Sequence, residues 1–386
     1  MPPGLRRPAG GPPPGKHEKP ERPGLRAGMT IADVGTTAVE RATPHRMVAT
    51  VRQRRIAGLG VVLAVLLVAA VVSVAVGARA LSPAEVWHGL FAAADPDQKA
   101  TDIRLIVQTV RVPRTVLAIV AGIALGVAGA LIQGYTRNPI ADTGLLGVNT
   151  GASFAVVSAI SLLGLTDPFQ YVWFAFLGAG LSGVVVFGLS SIGRGAGNPL
   201  TLALAGQGVT VFLAAMTTAV ALSDKAALNA LRFWNAGSVA GVPFRVIWPV
   251  TAFIVVGLVL ALATLPSVNL LNLGDDVARG LGVNIALVRT VGIIAITLLA
   301  GAATAACGPI AFLGLMVAHV ARYLAGPDYR WLVPYAGLLG AVVLLVCDIV
   351  GRVVVRPGEL DAGVLVALLG APFFAALVWR GKFKSA

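Results

Sequence analysis

This 386-residue chain has little charge. Asp, Glu, Lys and Arg make up 12% of it, against about 25% in a soluble globular domain. That is too little to cover a water-facing surface, which excludes an ordinary cytosolic enzyme. The 57% hydrophobic content excludes a disordered chain. Cysteine is scarce too: Cys307 and Cys347 both sit in apolar sequence. Two cannot build a disulfide framework, and neither has Cys or His at metal-ligand spacing, so both read as small buried hydrophobes. There is no paired catalytic acid, no His cluster and no nucleophile with an evident base, so an intramembrane enzyme lacks its constellation. The long apolar runs hold almost no ionisable groups. A carrier driven by an ion gradient usually shows several midplane acids or a broken-helix ion site. Their scarcity argues for an external energy source, with the ion-coupled carrier kept as the alternative.

What the chain has instead is long uncharged sequence, with a mean hydropathy of +0.85. Runs without Asp, Glu, Lys or Arg cover 56–78, 115–136, 143–166, 168–193, 195–223, 246–274, 290–321, 331–347 and 362–379. A membrane helix needs about 20 such residues. The runs are continuous rather than alternating, so they are helices and not barrel strands. The run 290–321 is too long for one span and carries the break signal Gly308-Pro309. Split there, with its second piece at about 310–326, it brings the expectation to an all-α polytopic membrane protein of about ten helices.

An even number of spans puts both ends on one side. Eleven Lys or Arg fall in the first 56 residues, with Arg52, Arg54 and Arg55 next to the first span and Arg380, Lys382 and Lys384 after the last. The positive-inside rule therefore predicts cytoplasmic termini. The net charge of +13 reads as this topology signal plus attraction to anionic lipid, not as nucleic-acid binding. Residues 1–50 are expected to be a disordered basic tail rich in Pro and Gly, and 51–386 the membrane domain. Met29 and Met47 are alternative starts within the tail. Gly10, Gly15 and Lys16 mimic a phosphate loop, but His17 follows where Ser or Thr is needed, with no strand before it. The chain is read as carrying no nucleotide site of its own.

Four polar segments punctuate the spans. In the loop 79–113, Ser82 and Glu85 have capping-box spacing and open a short amphipathic helix. At its far end Arg111 and Arg114 stand three apart at a membrane mouth. They are either interfacial anchors or a cationic docking point for a partner's carboxylates. Next, Arg137-Asn138-Pro139 is a turn signal. After it Gly144, Gly147 and Gly151 give one face of a span bare backbone, as Gly122 and Gly126 do for the preceding span; close helix packing explains both. The third segment is the loop 267–289. There Gly274 stops a span, Asp275 and Asp276 begin a short helix, Arg279 ends it in agreement with the helix dipole, and Gly280 and Gly282 terminate it. Its apolar Val277, Ala278 and Leu281 need something to pack against, such as a soluble partner's groove. Last, Asp348 and Arg352 lie four apart and can neutralise each other, and His319 reads as a packed histidine.

The motifs Arg111-Val-Pro-Arg114-Thr, Gly129-Ala-Leu-Ile-Gln-Gly and Arg137-Asn-Pro-Ile-Ala-Asp-Thr-Gly-Leu-Leu-Gly-Val-Asn-Thr-Gly resemble the FecCD family of ABC importer permeases. So do Leu273-Gly-Asp-Asp-Val-Ala-Arg-Gly-Leu-Gly-Val, Gly308-Pro-Ile-Ala-Phe-Leu-Gly-Leu, Gly326-Pro-Asp-Tyr-Arg, Glu359-Leu-Asp-Ala-Gly and Gly370-Ala-Pro-Phe-Phe. The resemblance runs in order over about 57–382 and leaves only the tail outside. It implies the type II ABC importer permease fold. It also implies a second permease subunit, identical or paralogous, two cytoplasmic ATPases that bind ATP and Mg, and an extracytoplasmic binding protein. Arg111, Arg114 and Arg352 resemble family arginines that meet the binding protein. The stretch with Gly274, Asp275, Asp276, Ala278, Arg279 and Gly282 resembles the segment that couples to the ATPase. Asn138, Pro139, Asn198, Pro199 and Leu200 lie where the family closes its cytoplasmic gate. Two positions depart from the pattern: Ala318 precedes His319 where the family usually has Pro, and Cys307 stands where it has Gly or Ala. Arg352-Val-Val-Val-Arg-Pro-Gly-Glu-Leu most resembles siderophore permeases, with cobalamin and haem as alternatives. No cofactor or metal is expected on this chain, because a siderophore keeps its own iron.

Overall fold

The computed structural model describes residues 44–77, 81–91, 98–192, 199–356 and 358–379. Residues 1–43 of the basic tail, with the phosphate-loop mimic, Arg380 onward and Asn198 lie outside the described residues, whereas 44–50 already belong to the first helix. Fourteen α-helices follow in order: α1 (Pro44–Ala75), α2 (Pro83–Phe91), α3 (Gln98–Leu105), α4 (Val112–Thr136), α5 (Val148–Leu163), α6 (Pro168–Ser190), α7 (Pro199–Ser223), α8 (Lys225–Ala236), α9 (Phe244–Leu271), α10 (Asp275–Gly280), α11 (Ile285–Cys307), α12 (Leu313–Ala325), α13 (Tyr329–Val354) and α14 (Ala362–Trp379). A π-helical turn, Ile106–Arg111, joins α3 to α4, and a 3-10 turn, Thr143–Leu146, precedes α5. The described residues contain no strand.

Among the described residues eight helical segments are long and apolar enough to cross a membrane: α1, the run Thr101–Thr136 from within α3 through the π-helical turn and α4, then α6, α7, α9, α11, α13 and α14. The apolar but shorter α5 and α12 complete the expected ten. Local chemistry sets their ends. Asp167, Asp224 and Asp328 each accept an N–H two residues on and cap α6, α8 and α13, and Asn284 accepts from Leu287 to cap α11. Gly308-Pro309 divides the long run as expected, but α12 begins only at Leu313. Pro249, Pro266, Pro334 and Pro372 lie inside helices. Neighbouring helices in a membrane protein can compensate for the N–H that proline lacks.

The core is built around α4. Gly122 faces the backbone of Gly340 and Ala341, Gly126 faces Ala336, and Gly129 faces Gly314, so any Cβ there would strike another helix's backbone. Glycine serves α4 by letting α12 and α13 approach to backbone contact. The window of highest hydropathy in the α4 span is 78% buried, against 11% in α7. One expectation needs correction. Gly144 and Gly147 do not line a face of a span, because Gly144 belongs to the 3-10 turn and Gly147, at φ 65°, links that turn to α5. Only Gly151 packs within α5, against Gly178 of α6.

Candidate functional site

The bundle has a charged cluster at each end. At the first, α4 and α13 run antiparallel through their glycine contacts, which brings Arg114 level with Asp348. Arg114 donates to Asp348 at 2.8 Å and to Glu359, in the α13–α14 connection, at 2.6 Å. Asp348 also takes its helical neighbour Arg352 through Nε at 3.0 Å and a close Nη2 contact. The other donors turn toward the end of α1. Arg111 bonds the carbonyls of Val74 and Ala75 at 2.8 and 2.7 Å. Arg352 bonds those of Ser73 and Val76, and Arg356 that of Gly77. The Ser73 and Thr115 hydroxyls share a 2.7 Å bond. A helix C-terminus leaves four carbonyls unpaired and carries partial negative charge. Three arginines satisfy that end of α1.

This changes the picture of the three sequence-selected arginines. Arg111, Arg114 and Arg352 are 4%, 6% and 2% exposed, so the structure does not present them as open cationic points at a mouth. Each is turned inward, because Asp348 is fully buried and an unpaired carboxylate or carbonyl there would be costly. Glu359, at 36%, is the only acid of the cluster that reaches the surface.

At the opposite end α10 forms as its local sequence dictates. Gly274 (φ 115°) and Gly282 (φ 83°) bracket it in conformations that favour glycine. Its two aspartates diverge. Asp275 receives Arg289 of α11 at 3.0 Å and, in a closer contact, Arg137, which ends α4 in the left-handed region at φ 48°. Burial alone would raise the Asp275 carboxyl; the Arg137 hydrogen bond and the charges of Arg289 and Arg137 outweigh it and hold the group below the ordinary carboxylate range. Asp276 is 99% exposed and meets only Arg279 of its own helix. Ala278 is buried, while Leu273, Val277, Leu281 and Leu287 are exposed, forming an apolar surface with a charged edge.

The expected gate residues begin beside this cluster. Asn138 accepts from Ile140 N–H at 3.1 Å and shapes the Asn138-Pro139 turn. Gly206 of α7 lies against the Leu145 backbone, so α7 abuts the segment that follows this turn. Leu200 is exposed on the first turn of α7, and of Pro199 only the backbone is described. Sequence reasoning missed several members of this end. Gln133 accepts from Arg322, and Asn269 bonds both Asp328 and the Tyr329 N–H. Their signal was an amide side chain at the end of an apolar run. His319 bonds the Leu315 carbonyl and stacks edge-on against Phe373, as a packed histidine does. Among the described residues no three His, Cys, Asp or Glu stand where they could hold a metal. A cavity of about 400 Å³ lies beneath α8, walled by Tyr171, Trp234, Ser238, Cys307 and Asp361 among apolar side chains.

The model of the FecCD transport family matches residues 65–380. The chain is 41% identical to the ferric enterobactin transport system permease protein FepD of Escherichia coli (strain K12), over 86% of this chain and 97% of that one. It is 39% identical to the iron(3+)-hydroxamate import system permease protein FhuB of Bacillus subtilis (strain 168), over 83% and 82%. It is 36% identical to the hemin transport system permease protein HmuU of Yersinia pestis, over 84% and 96%. Among solved structures, an inward-facing conformation of a metal-chelate type ABC transporter aligns with a TM-score of 0.70 at 27% identity, covering 83% of this chain and 98% of that one.

Proposed function

The chain belongs to the FecCD transport family, and from that premise we propose that it is the membrane-spanning subunit of an ATP-driven importer that moves a ferric siderophore across the bacterial cytoplasmic membrane. What carries the reading is the match, over most of the chain, to permeases named for iron chelates, FepD and FhuB above all. The chain itself is a conduit and not an enzyme. ATP and Mg belong to two cytoplasmic ATPases, and an extracytoplasmic binding protein delivers the solute. Both termini are cytoplasmic, as the arginines before the first span require.

Surface features support each partner. The apolar side chains of α10 and its flanks face outward at the Asp275 end, where a soluble ATPase can cover them. Helices α7 and α14 leave Val211, Phe212, Leu368 and Leu369 exposed, which suits burial against a second permease subunit. The binding protein docks at the Arg114 end. A partner carboxylate reaches Arg114 there only by displacing Glu359, because the arginines are turned inward.

The experiment is uptake of radio-iron as ferric siderophore by iron-starved cells with and without this chain. Loss of uptake that returns on complementation is the expected result. Unchanged uptake in a strain without a second importer moves the solute to haem, as the likeness to HmuU allows, or to cobalamin. Uptake that survives ATP depletion but collapses with an uncoupler overturns the ATP-driven reading.

A further inference from the structure

The segment between α1 and α4 builds a small core of its own. Leu81, Ile103 and Val107 are buried together, with Val74, Val86 and Leu90 packed around them. The helix α2 starts with a closed capping box: Ser82 N–H donates to the Glu85 carboxylate at 2.8 Å, and Glu85 N–H to the Ser82 hydroxyl at 3.3 Å. Gly89 brings α2 against Val107 and Ile103, and Gln108 donates to the Gly89 carbonyl at 3.1 Å. The inward face of α2 is thereby fixed. Its outward stripe is Ala84, Trp87, His88 and Phe91. Trp87 and Phe91 are 64% and 67% exposed, and their rings meet at a tilt of 49° with centroids 4.6 Å apart. Among the described residues, nothing else covers that pair.

The height of α2 follows from its neighbours. Gly134 meets Tyr329, Gly122 meets Gly340 and Arg114 meets Asp348, so α13 measures α4 residue by residue. Extended along the pair, the end of α13 at Val354 falls level with Gln108. The 26 residues of α13 span about 39 Å, close to the roughly 40–45 Å of a bilayer with its headgroups. Val107, and α2 upon it, therefore sit at headgroup level. Their lateral position is as telling. The small core includes Val74 of α1, whose Val61, Val65, Leu67, Val68 and Val71 are all exposed. That puts the paired rings above a helix whose apolar face is open to lipid.

We propose that α2 is an interfacial helix. Trp87 and Phe91 anchor it among the phospholipid headgroups at the Arg114 end, at the depth where aromatic side chains are enriched. Through Gly89 and Gln108 the anchor sets the height of the π-helical turn that carries Arg111.

A variant retaining Trp87 alone, with Trp173, Trp234, Trp248, Trp331 and Trp379 changed to Phe, tests this in phosphatidylcholine vesicles. A nitroxide on the lipid headgroup or upper chain should remove most of its fluorescence, a mid-chain nitroxide little, and aqueous acrylamide little. Strong quenching by acrylamide with no response to lipid nitroxides would overturn the proposal and leave α2 facing water or a soluble partner. A second route avoids the five aromatic changes. Trp87→Cys is spin-labelled in a background in which the buried Cys307 and Cys347 are replaced by Ala. Collisions with oxygen should exceed those with a water-soluble nickel chelate, and the reverse order overturns the assignment.

Discussion

The two ends of the bundle use the same side chains for opposite purposes. At the Arg114 end, Arg114 and Arg352 close on Asp348, all three within 6% of full burial, while Arg111 closes on the Ala75 carbonyl that ends α1 and Arg356 on the Gly77 carbonyl just beyond it. At the Asp275 end, the Arg137 and Arg289 side chains are 35% and 19% exposed, and the helix beside them turns apolar residues outward. A buried carboxylate shared by two arginines is a fastening, because removing one member strands the others in low dielectric. A half-exposed carboxylate shared by two arginines from different helices is a joint, because water can take over if it opens. The first end is therefore committed to holding α1, α4 and α13 together. On the proposed function, the second is the end that would move with an ATPase docked on α10.

The sharpest way to break that contrast is Asp348→Ala. It leaves two buried guanidiniums without their acid and should cost about 3–5 kcal/mol, seen as a large fall in the thermal midpoint of the detergent-solubilised protein. A variant as stable as the parent would mean that the cluster is hydrated and not a fastening. Arg114→Glu belongs to the same class, since it would set three carboxylates side by side, and so it cannot isolate binding-protein docking. Glu359→Gln is the cleaner probe of docking. It weakens the internal claim on Arg114 while Asp348 still holds that side chain, so delivery by the binding protein should improve or persist, with little change in stability.

Next in size is the double change Val277→Asp with Leu281→Asp. Both side chains are exposed, so the subunit should fold with its thermal midpoint unchanged. Co-purification of the ATPase and solute uptake should both be lost. Retained ATPase would show that the apolar surface of α10 is not the contact.

How much of this the sequence could announce depends on distance along the chain. The short helix α10 was fully legible, since Gly274, the two acids, Arg279 and Gly282 lie within one turn or two of each other. The ten apolar helices and the Gly308-Pro309 break were legible for the same reason. The inward turn of Arg114 was not. Its partner Asp348 lies 234 residues away, and the carbonyls that hold Arg111 belong to the end of a different helix. Gly144 and Gly147 matched a helical spacing, yet the Asp142 side chain accepts the Gly144 N–H and opens a 3-10 turn instead. A local capping choice overrode the periodic pattern.

The smallest effects separate two neighbours that sequence alone cannot tell apart. Asp275 and Asp276 are identical carboxylates one residue apart, and only the arrival of Arg137 and Arg289 distinguishes them. Asp275→Asn should leave expression and ATPase binding intact while lowering uptake by about tenfold, as expected for about 1.4 kcal/mol of lost coupling. Asp276→Asn removes one exposed pair within α10, and such pairs contribute little, so uptake and stability should both stay at parental values. Acid offers the same comparison without mutation. The Asp275 carboxyl is held below its ordinary value of about 3.9 by the two arginines, so its hold on α10 is complete above that value and is lost as pH falls through the lower folded one. Hydrogen exchange of α10 should therefore be flat from neutral pH down to about 5, after correction for intrinsic rates, and rise only below about 4. If Asp275→Asn behaves like Asp276→Asn in uptake and exchange alike, the joint is ornamental and α10 moves with its neighbours through packing alone.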